Sequence, residues 1–285
     1  MDFSKYLFKS HYMGYLMTDP KEKSNLEKYN SALESMRDKS DKLALCSEKA
    51  VKTSEKLVDD LDKLNLELER LEPIKNLPNL SQTCKTKLSE IYTAETTGRI
   101  KDVKSKYFEK GLLLEEDAIT AYSLFTGDFH KKNKERKYND YIQGELDLVT
   151  EDTVHDTKVC WDIFTFDAKQ FSKIDPVYEW QLDCYMWLWE KKFGKLIYCL
   201  LDTPEHLIAG EERKLLYDFV GSEEDYKDAC ADLRHNHQYS DLASERKIRI
   251  FNTSYKEERI EKIKTRVEEC RKYLNNITNE MAWQS

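Results

Sequence analysis

The clearest alternation of apolar and polar positions lies near the middle of the chain. From Tyr141 to Val149 successive residues alternate in character, as they do in a strand that is buried on one side. Thr153 to Cys160 forms a second run of strand character, and the polar stretch between the two runs suits a turn. The pattern predicts a β-hairpin in which Val149 faces Val154.

The polar face of this hairpin carries the candidate chemistry. Side chains alternate along a strand, so the predicted register places Asp147 opposite Asp156 and Glu145 opposite Lys158. Two carboxylates that face each other across a strand pair repel. A divalent cation between them would remove the repulsion and make both of them ligands. The alternative interpretation is an ordinary polar face with an ion pair between Glu145 and Lys158.

A helical pattern precedes the hairpin. The segment from Gly111 to Tyr122 places apolar residues in i, i+4 register, and Gly127 is well placed to end the helix. Glu115 lies next to the apolar side, where it could point inward. The helix dipole also favours acidic residues in a first turn, so Glu115 alone does not define a site.

A second helical pattern follows the hairpin. Pro176 suits the first turn of a helix that runs to Trp189 and is apolar nearly all round, which is typical of a buried helix. Gln181 and Tyr185 lie one turn apart on one face of it. A buried glutamine needs hydrogen-bond partners, which either a polar site or a neighbouring backbone would supply.

The order of these elements resembles a known superfamily. A helix with a glutamate is followed by a strand with an aspartate, a strand with Asp-x-Lys, a helix with Gln-x-x-x-Tyr, and a buried strand predicted from Lys195 to Leu201. This order is similar to that of the PD-(D/E)XK nucleases, and more narrowly to the phage-type exonucleases of the YqaJ and lambda exonuclease group, with RecB-like nuclease domains as wider relatives. The resemblance covers roughly residues 98–280 and rests on Gly111, Glu115, Ala118, Gly144, Asp147, Asp156, Thr157, Lys158, Gln181 and Tyr185.

Two positions depart from the pattern of the superfamily. Leu146 stands where the name-giving proline would be, and Asp156 stands where many members have glutamate. Aspartate still offers oxygen ligands for a hard cation. The resemblance implies an α/β fold: a restriction-endonuclease-like mixed β-sheet flanked by helices, with a helical N-terminal extension and a long C-terminal helix.

The same resemblance implies a metal-dependent deoxyribonuclease. Its cofactor would be one or two Mg²⁺ ions, with Mn²⁺ as an alternative. The ligands would be the side chains of Glu115, Asp147 and Asp156 and the backbone carbonyl of Thr157. The implied catalytic residues are Glu115, Asp147, Asp156, Lys158, Gln181 and Tyr185.

The expected substrate is DNA, degraded from double-stranded ends in phage or prophage recombination beside a single-strand annealing protein. The net charge of −8 disfavours DNA binding, but two basic islands flank the helix of Glu115. Their candidate DNA-binding residues are Arg99, Lys101, Lys104, Lys131 and Lys132, and solvated loops are the alternative. The rival functions are a structure-specific or restriction-type endonuclease, a non-catalytic helical scaffold, and a decayed nuclease fold retained for DNA binding.

The N-terminal region has a different pattern. Residues 21–72 are charged and helical, and a 4-3-4-3 leucine seam ends at Pro73. The seam consists of Leu57, Leu61, Leu64, Leu68 and Leu71, and a second seam consists of Ile260, Ile263, Val267, Cys270, Leu274, Ile277 and Met281. We predict a helical, coiled-coil-like region over residues 1–80 and a nuclease domain over residues 81–285. Each seam predicts packing within the chain, and a homo-oligomer contact is the alternative.

The cysteine pattern and the hydropathy bear on metal binding and on the cellular compartment. Seven scattered cysteines without a C-x-x-C pair disfavour an iron–sulfur cluster or a structural zinc site. No apolar run approaches the length of a membrane span, and the N-terminal stretch does not resemble a secretory leader. These observations together predict a cytoplasmic protein, in the host cytoplasm if it is phage-encoded.

Overall fold

The computed structural model describes residues 1–47, 50–102 and 105–282. Its helices are α1 (Met13–Leu16), α2 (Asn25–Ala44), α3 (Val51–Leu71), α4 (Gln82–Thr97), α5 (Lys106–Leu113), α6 (Glu115–Thr126), α7 (Ile163–Ala168), α8 (Pro176–Trp189), α9 (Glu205–Asp218), α10 (Glu223–His235) and α11 (Glu257–Ala282). Its strands are β1 (Phe8–Lys9), β2 (Arg136–Tyr138), β3 (Ile142–Glu145), β4 (Leu148–Val149), β5 (Thr153–Val159), β6 (Phe193–Cys199) and β7 (Ile248–Ser254). Within the described ranges, no helix is long and apolar enough to cross a membrane.

The chain forms two compact units. One comprises Met1–Lys5, Leu16–Thr96 and Arg266–Ser285, and the other comprises Tyr6–Tyr15 and Thr97–Thr265. The division at residue 80 that the sequence suggested stays a prediction. The predicted fold class is confirmed, because mixed β-sheets are flanked by helices.

The first unit is helical. Its helices α2 and α3 pack on each other, and an ion pair between Lys39 and Asp60 joins them. The leucine seam of α3 is half-buried except at Leu71, which is buried. The seam of α11 is buried from Ile260 to Leu274, whereas the side chain of Met281 lies outside the described part of the chain. The alternative of an oligomer contact stays a prediction.

The second unit is built on a four-stranded sheet with the strand order β4-β5-β6-β7. Strands β5 and β6 are parallel, and the other two pairs are antiparallel. Residues of α6, among them Ile119 and Tyr122, form a core with Leu148 and Ile197 on one face of the sheet. Helix α8 also packs on β5 and β6.

The predicted hairpin forms, but its first strand is shorter than expected. Val149 pairs with Val154 as predicted. The single strand predicted from Tyr141 to Val149 is wrong, because the chain leaves strand geometry after β3 and resumes it at β4. The side chain of Asn133 donates to the carbonyl of Leu146, which supplies a partner for the backbone at this break.

The predicted pairing of Glu145 with Lys158 is also wrong. Strand β3 belongs to a separate three-stranded sheet, where it lies between β1 and β2. Glu145 pairs there with Arg136, whose guanidinium lies 3.5 Å from the carboxylate. Backbone hydrogen bonds with β1 and β2 satisfy the N–H and C=O groups of β3, so β3 does not pair with β5.

The helix predicted from Gly111 to Tyr122 is interrupted. Leu114, with φ −104° and ψ 13°, ends α5 and begins α6. Glu115 therefore becomes the first residue of a new helix. Gly127 ends that helix as predicted, in a left-handed conformation with φ 77° that glycine adopts without strain.

Candidate active site

Strand β5 positions the central ion pair of the site. Asp156 and Lys158 are two residues apart, so both side chains project from the same face of the sheet. Oδ2 of Asp156 lies 2.6 Å from Nζ of Lys158. Asp156 is only 2% exposed, and no aligned hydrogen bond reaches this oxygen. The oxygen is thus a buried acceptor that is held only by an ionic contact.

Asp147 joins this pair from the break between β3 and β4. Its Oδ2 accepts hydrogen bonds from the backbone N–H of Thr157 at 2.6 Å and from the hydroxyl of Thr157 at 2.7 Å. These bonds tie the carboxylate to the middle of β5. The structure therefore brings Asp147, Asp156 and Lys158 together, as the sequence predicted, although Glu145 is absent from the group.

The electrostatics of the site show an excess of acid. Burial raises the pKa of Asp156 to about 6, and the charges of Asp147 and Glu115 add to the rise while Lys158 opposes it. Burial would lower the pKa of Lys158, but the charges of Asp156 and Asp147 raise it overall. Lys158 alone therefore compensates these carboxylates incompletely.

Glu115 reaches the same region from the first turn of α6. Its carboxylate lies 3.1 Å from Nζ of Lys132. Burial lowers the pKa of Lys132, but the hydrogen bond and charge of Glu115, with further contributions from Glu116 and Asp147, raise it overall. Lys132 is thus a cation placed between the glutamate and the aspartates.

Helix α8 supplies the remaining predicted residues. Nε2 of Gln181 donates to Oδ1 of Asp156 at 3.3 Å and to the hydroxyl of Tyr185 at 2.8 Å. Both side chains are buried. Asp175 caps the helix by accepting from the N–H of Val177, which helps fix its orientation.

Tyr178 also contacts the site, although it was not among the residues predicted from the sequence. Nζ of Lys158 lies 5.3 Å from the centroid of its ring, within the range of a cation–π contact. Tyr178 precedes Gln181 by three residues and Tyr185 by seven, so all three share one face of α8. This helical spacing was a signal that could have identified Tyr178.

His155 projects to the face of β5 opposite to Asp156 and Lys158. Its Nδ1 lies 3.4 Å from the hydroxyl of Tyr122, and its Nε2 lies 3.3 Å from the hydroxyl of Thr150. Burial lowers the pKa of His155 to about 4. The side chain is therefore a neutral, buried polar group of the core on that face.

Of the predicted DNA-binding residues, only Lys132 has a described contact with a residue of the site. Lys132 lies in the site, whereas Arg99, Lys101 and Lys131 are exposed in loops. Lys104 lies outside the described residues. Their role in DNA binding stays a prediction.

The donor chemistry of the site fits a hard cation. Glu115, Asp147 and Asp156 offer carboxylate oxygens only, and one of these is the buried Oδ2 of Asp156, which contacts Lys158. In the described part of the chain, no group of three or more His, Cys, Asp or Glu side chains is arranged to hold a metal ion. Lys158 and Lys132 instead compensate the carboxylates.

Comparison with solved structures gives the fold a close counterpart. The chain superposes on a phage-related exonuclease from Haemophilus somnus 129PT with a TM-score of 0.64 and 22% sequence identity, over 97% of each chain. This chain has the fold of a phage-related exonuclease. The resemblance predicted from the sequence is confirmed at the level of the fold.

More distant likenesses are also found. The alkaline exonuclease LHK-Exo from Laribacter hongkongensis matches with 12% identity over 72% of this chain and 88% of its own, with a TM-score of 0.48. A structure of LHK-Exo in complex with dAMP gives the same coverage and identity with a TM-score of 0.49. No protein-family model and no curated protein sequence matches the chain.

Proposed function

We propose that this protein is a Mg²⁺-dependent deoxyribonuclease that degrades DNA from double-stranded ends. The observation that carries the proposal is the grouping of Asp147, Asp156 and Lys158 at β5, where Asp147 is bonded to Thr157 and the buried carboxylate of Asp156 contacts Lys158. Support for a nuclease comes from the fold, which is shared over nearly the whole chain with a phage-related exonuclease.

The proposed ligands are the carboxylates of Asp147, Asp156 and Glu115 and the carbonyl of Thr157. When bound, the metal would neutralise charge on the phosphodiester and lower the pKa of a water molecule. Oδ2 of Asp147 already accepts from Thr157, which fixes this carboxylate relative to β5. Asp156 has one oxygen held by Gln181 and one in ionic contact with Lys158, so a bound cation would share the second oxygen with that ammonium group.

Lys158 supplies positive charge to the reacting phosphate. Its ammonium group is fixed between the carboxylate of Asp156 and the ring of Tyr178. From this position it stabilises the negative charge that develops on the phosphoryl oxygens in the transition state. Gln181 orients Asp156, and Tyr185 orients Gln181 through the hydrogen bond between their side chains.

Lys132 would bind the DNA substrate as it enters the site. It pairs with Glu115 in the structure, and a bound metal would take over the compensation of that carboxylate. The released ammonium group would then be available to a backbone phosphate of DNA. Participation in phage or prophage recombination, beside a single-strand annealing protein, belongs to the same proposal.

The test uses two DNA substrates of identical sequence. The purified protein is incubated with linear duplex and with covalently closed circular duplex, in Mg²⁺ and in EDTA. We expect Mg²⁺-dependent release of mononucleotides from the linear duplex and an intact circle. Cleavage of the circle would favour the endonuclease, and absence of hydrolysis in both Mg²⁺ and Mn²⁺ would refute a nuclease.

A further inference from the structure

The backbone that carries Asp147 belongs to neither sheet. Leu146 and Asp147 lie in the break between β3 and β4, outside the strand pairs on either side. Backbone carbonyl groups in such a break need hydrogen-bond partners from elsewhere in the chain. The bonds to Thr157 hold the carboxylate of Asp147, and the backbone behind this carboxylate needs an anchor of its own.

Asn133 provides that anchor. Its backbone N–H donates to the carbonyl of Asp147 at 2.6 Å, and its side-chain Nδ2 donates to the carbonyl of Leu146 at 3.1 Å. The same Nδ2 donates to the carbonyl of Glu135 at 2.8 Å, within its own loop. An asparagine amide carries two N–H donors, so one side chain can serve both carbonyls. A single residue therefore holds both carbonyl groups of the break.

The residue before Asn133 contacts a second proposed ligand. Nζ of Lys132 lies 3.1 Å from Oε2 of Glu115, the first residue of α6. Two successive residues thus contact two acids that come from different elements of the fold. Because the chain is bonded to both of them here, it sets the spacing between Glu115 and Asp147.

The same stretch of chain is also fixed where it leaves α6. The ring of His130 stacks on the ring of Tyr122, with the centroids 4.7 Å apart and an angle of 16° between the planes. The backbone N–H of His130 donates to the hydroxyl of Ser123 at 3.1 Å. Tyr122 and Ser123 both belong to α6. Segment 130–133 therefore joins α6 to the break that carries Asp147, and it is held at both ends.

Asn139 shows what an asparagine with a local role does in the same region. Its Oδ1 accepts from the backbone N–H groups of Tyr141 and Ile142, at 2.9 and 3.0 Å, and so shapes the turn between β2 and β3. Neither partner is a residue of the proposed site. Asn133 differs, because one of the carbonyls that it binds is that of the proposed ligand Asp147.

We propose that Asn133 is a positioning residue for the carboxylate of Asp147. It acts through the backbone of Asp147 and through that of Leu146 next to it. In the proposed nuclease this role sets the affinity for the metal, and that consequence rests on the proposed function. Groups that orient a metal ligand typically contribute about 10- to 100-fold to metal affinity.

The experiment compares Asn133→Ala with Asn139→Ala, a matched change outside the site. Each variant loses two hydrogen bonds between its side chain and the backbone of a loop, so the two should lose similar stability. Urea denaturation in EDTA measures this loss. Asn133→Gln, which displaces the amide donor by one methylene group, replaces Asn133→Ala if that variant does not fold.

The first readout needs no metal. The backbone N–H of Thr157 donates to Oδ2 of Asp147, so its hydrogen exchange reports on the position of that carboxylate. Exchange is followed by NMR in EDTA. We expect the amide of Thr157 to exchange about tenfold faster in Asn133→Ala than in the wild type, because the carboxylate that protects it is displaced. In Asn139→Ala the amide of Thr157 should exchange as in the wild type.

The second readout is the affinity for Mn²⁺ without DNA, measured by isothermal titration. Asn133→Ala should bind Mn²⁺ about tenfold more weakly than the wild type. Asn139→Ala should bind like the wild type, because its hydrogen bonds lie in the turn between β2 and β3. A purely structural role of Asn133 would lower stability and leave both readouts unchanged.

The proposal is overturned if Asn133→Ala and Asn139→Ala exchange alike at Thr157. It is also overturned if the wild type binds Mn²⁺ and Asn133→Ala binds it equally well. Failure of the proposed function gives a different result. A wild type without affinity for Mn²⁺ would remove the metal site, whereas faster exchange at Thr157 in Asn133→Ala alone would still show that Asn133 positions Asp147.

Discussion

Two buried aspartates, one on β5 and one on α8, resemble each other closely. Asp156 of β5 and Asp183 of α8 are 2% and 1% exposed. Each lies 2.6 Å from a cationic side chain, Lys158 and Arg259 respectively, and each has one oxygen without a hydrogen-bond partner. Burial raises the pKa of each to about 6. Neither burial nor pKa distinguishes them.

The difference lies in the groups around each pair. Asp156 faces two further acids, and its cation, Lys158, is partly exposed. Arg259 is instead fixed between Asp183, Glu179 and the ring of Trp180, which lies 3.7 Å from its guanidinium carbon. Lys158 is partly exposed beside the acids of the site, whereas Arg259 is enclosed by two carboxylates of α8 and an aromatic ring, which is typical of a structural clamp between α8 and α11. A perturbed pKa therefore identifies a functional site only together with the charges that surround it.

Removal of the charge at the two positions should separate them most strongly. In Asp156→Asn we expect hydrolysis of linear duplex to fall by about 10³-fold, the order of the loss when one preorganised electrostatic group is removed. Asp183→Asn has the same change in shape and charge and should stay within a few-fold of the wild type. Initial rates in Mg²⁺ measure both, and equal losses in the two variants would contradict the distinction.

Removal of the ammonium group of Lys158 should have the next largest effect on hydrolysis. Lys158→Ala should lower the turnover number by about 10²-fold, because it removes a charge that acts on the transition state, and should keep the affinity for the metal. Lys264→Ala, which removes a lysine that pairs with Glu261, is the control. Single-turnover rates and metal titrations measure the two effects. Unchanged turnover in Lys158→Ala would rule out its catalytic role.

Stability should respond in the opposite order. Asp183→Ala leaves the charge of Arg259 buried without its main partner, and we expect it to lower the free energy of unfolding by about 3 kcal/mol. Asp156→Ala removes a carboxylate that other carboxylates repel, so its effect should be smaller. Urea denaturation without metal measures both. A larger loss in Asp156→Ala would show that Asp156 is the structural residue.

The smallest expected effect is the pH dependence of stability that Asp183 contributes. The folded-state pKa of Asp183 is about 6, which is above its value of about 3.9 in an unfolded chain. The folded state therefore binds the extra proton between these values, and the free energy of unfolding falls as the pH rises from about 4 to about 6. The difference between the two pKa values corresponds to a change of about 3 kcal/mol in the free energy of unfolding.

Asp183→Asn should remove this part of the pH dependence. Urea denaturation of the wild type and the variant at intervals between the two pKa values measures it. The wild type should lose more stability than the variant over that range. Parallel profiles would show that Asp183 titrates normally in the folded protein.

The local parts of the site followed from the sequence. Alternation fixed the pairing of Val149 with Val154, and helical spacing placed Gln181 and Tyr185 on one face of α8. The break before Asp147 did not follow, because it depends on β3 pairing with β1 from the beginning of the chain. No local pattern reports such a distant partner.

Two aromatic residues show the same limit. Tyr178 could have been predicted from the sequence, because it shares the helix face of Gln181. Its contact with Lys158, however, requires the packing of α8 on β5. The position of Tyr198 could not be predicted from the sequence, because its place beside Lys158 depends on the parallel register of β5 and β6. A buried hydroxyl without a partner is visible only once the neighbouring elements are in place.

The central claim is that the carboxylates beside Lys158, and not those beside Arg259, hold a divalent cation. Isothermal titration of Mn²⁺ into the wild type, Asp156→Asn and Asp183→Asn, in the absence of DNA, tests this claim most directly. We expect the wild type and Asp183→Asn to bind Mn²⁺ alike and Asp156→Asn to bind at least about tenfold more weakly, which is the size of effect that loss of a ligand-side interaction gives. Equal affinity in all three proteins, or no binding by the wild type, would contradict it.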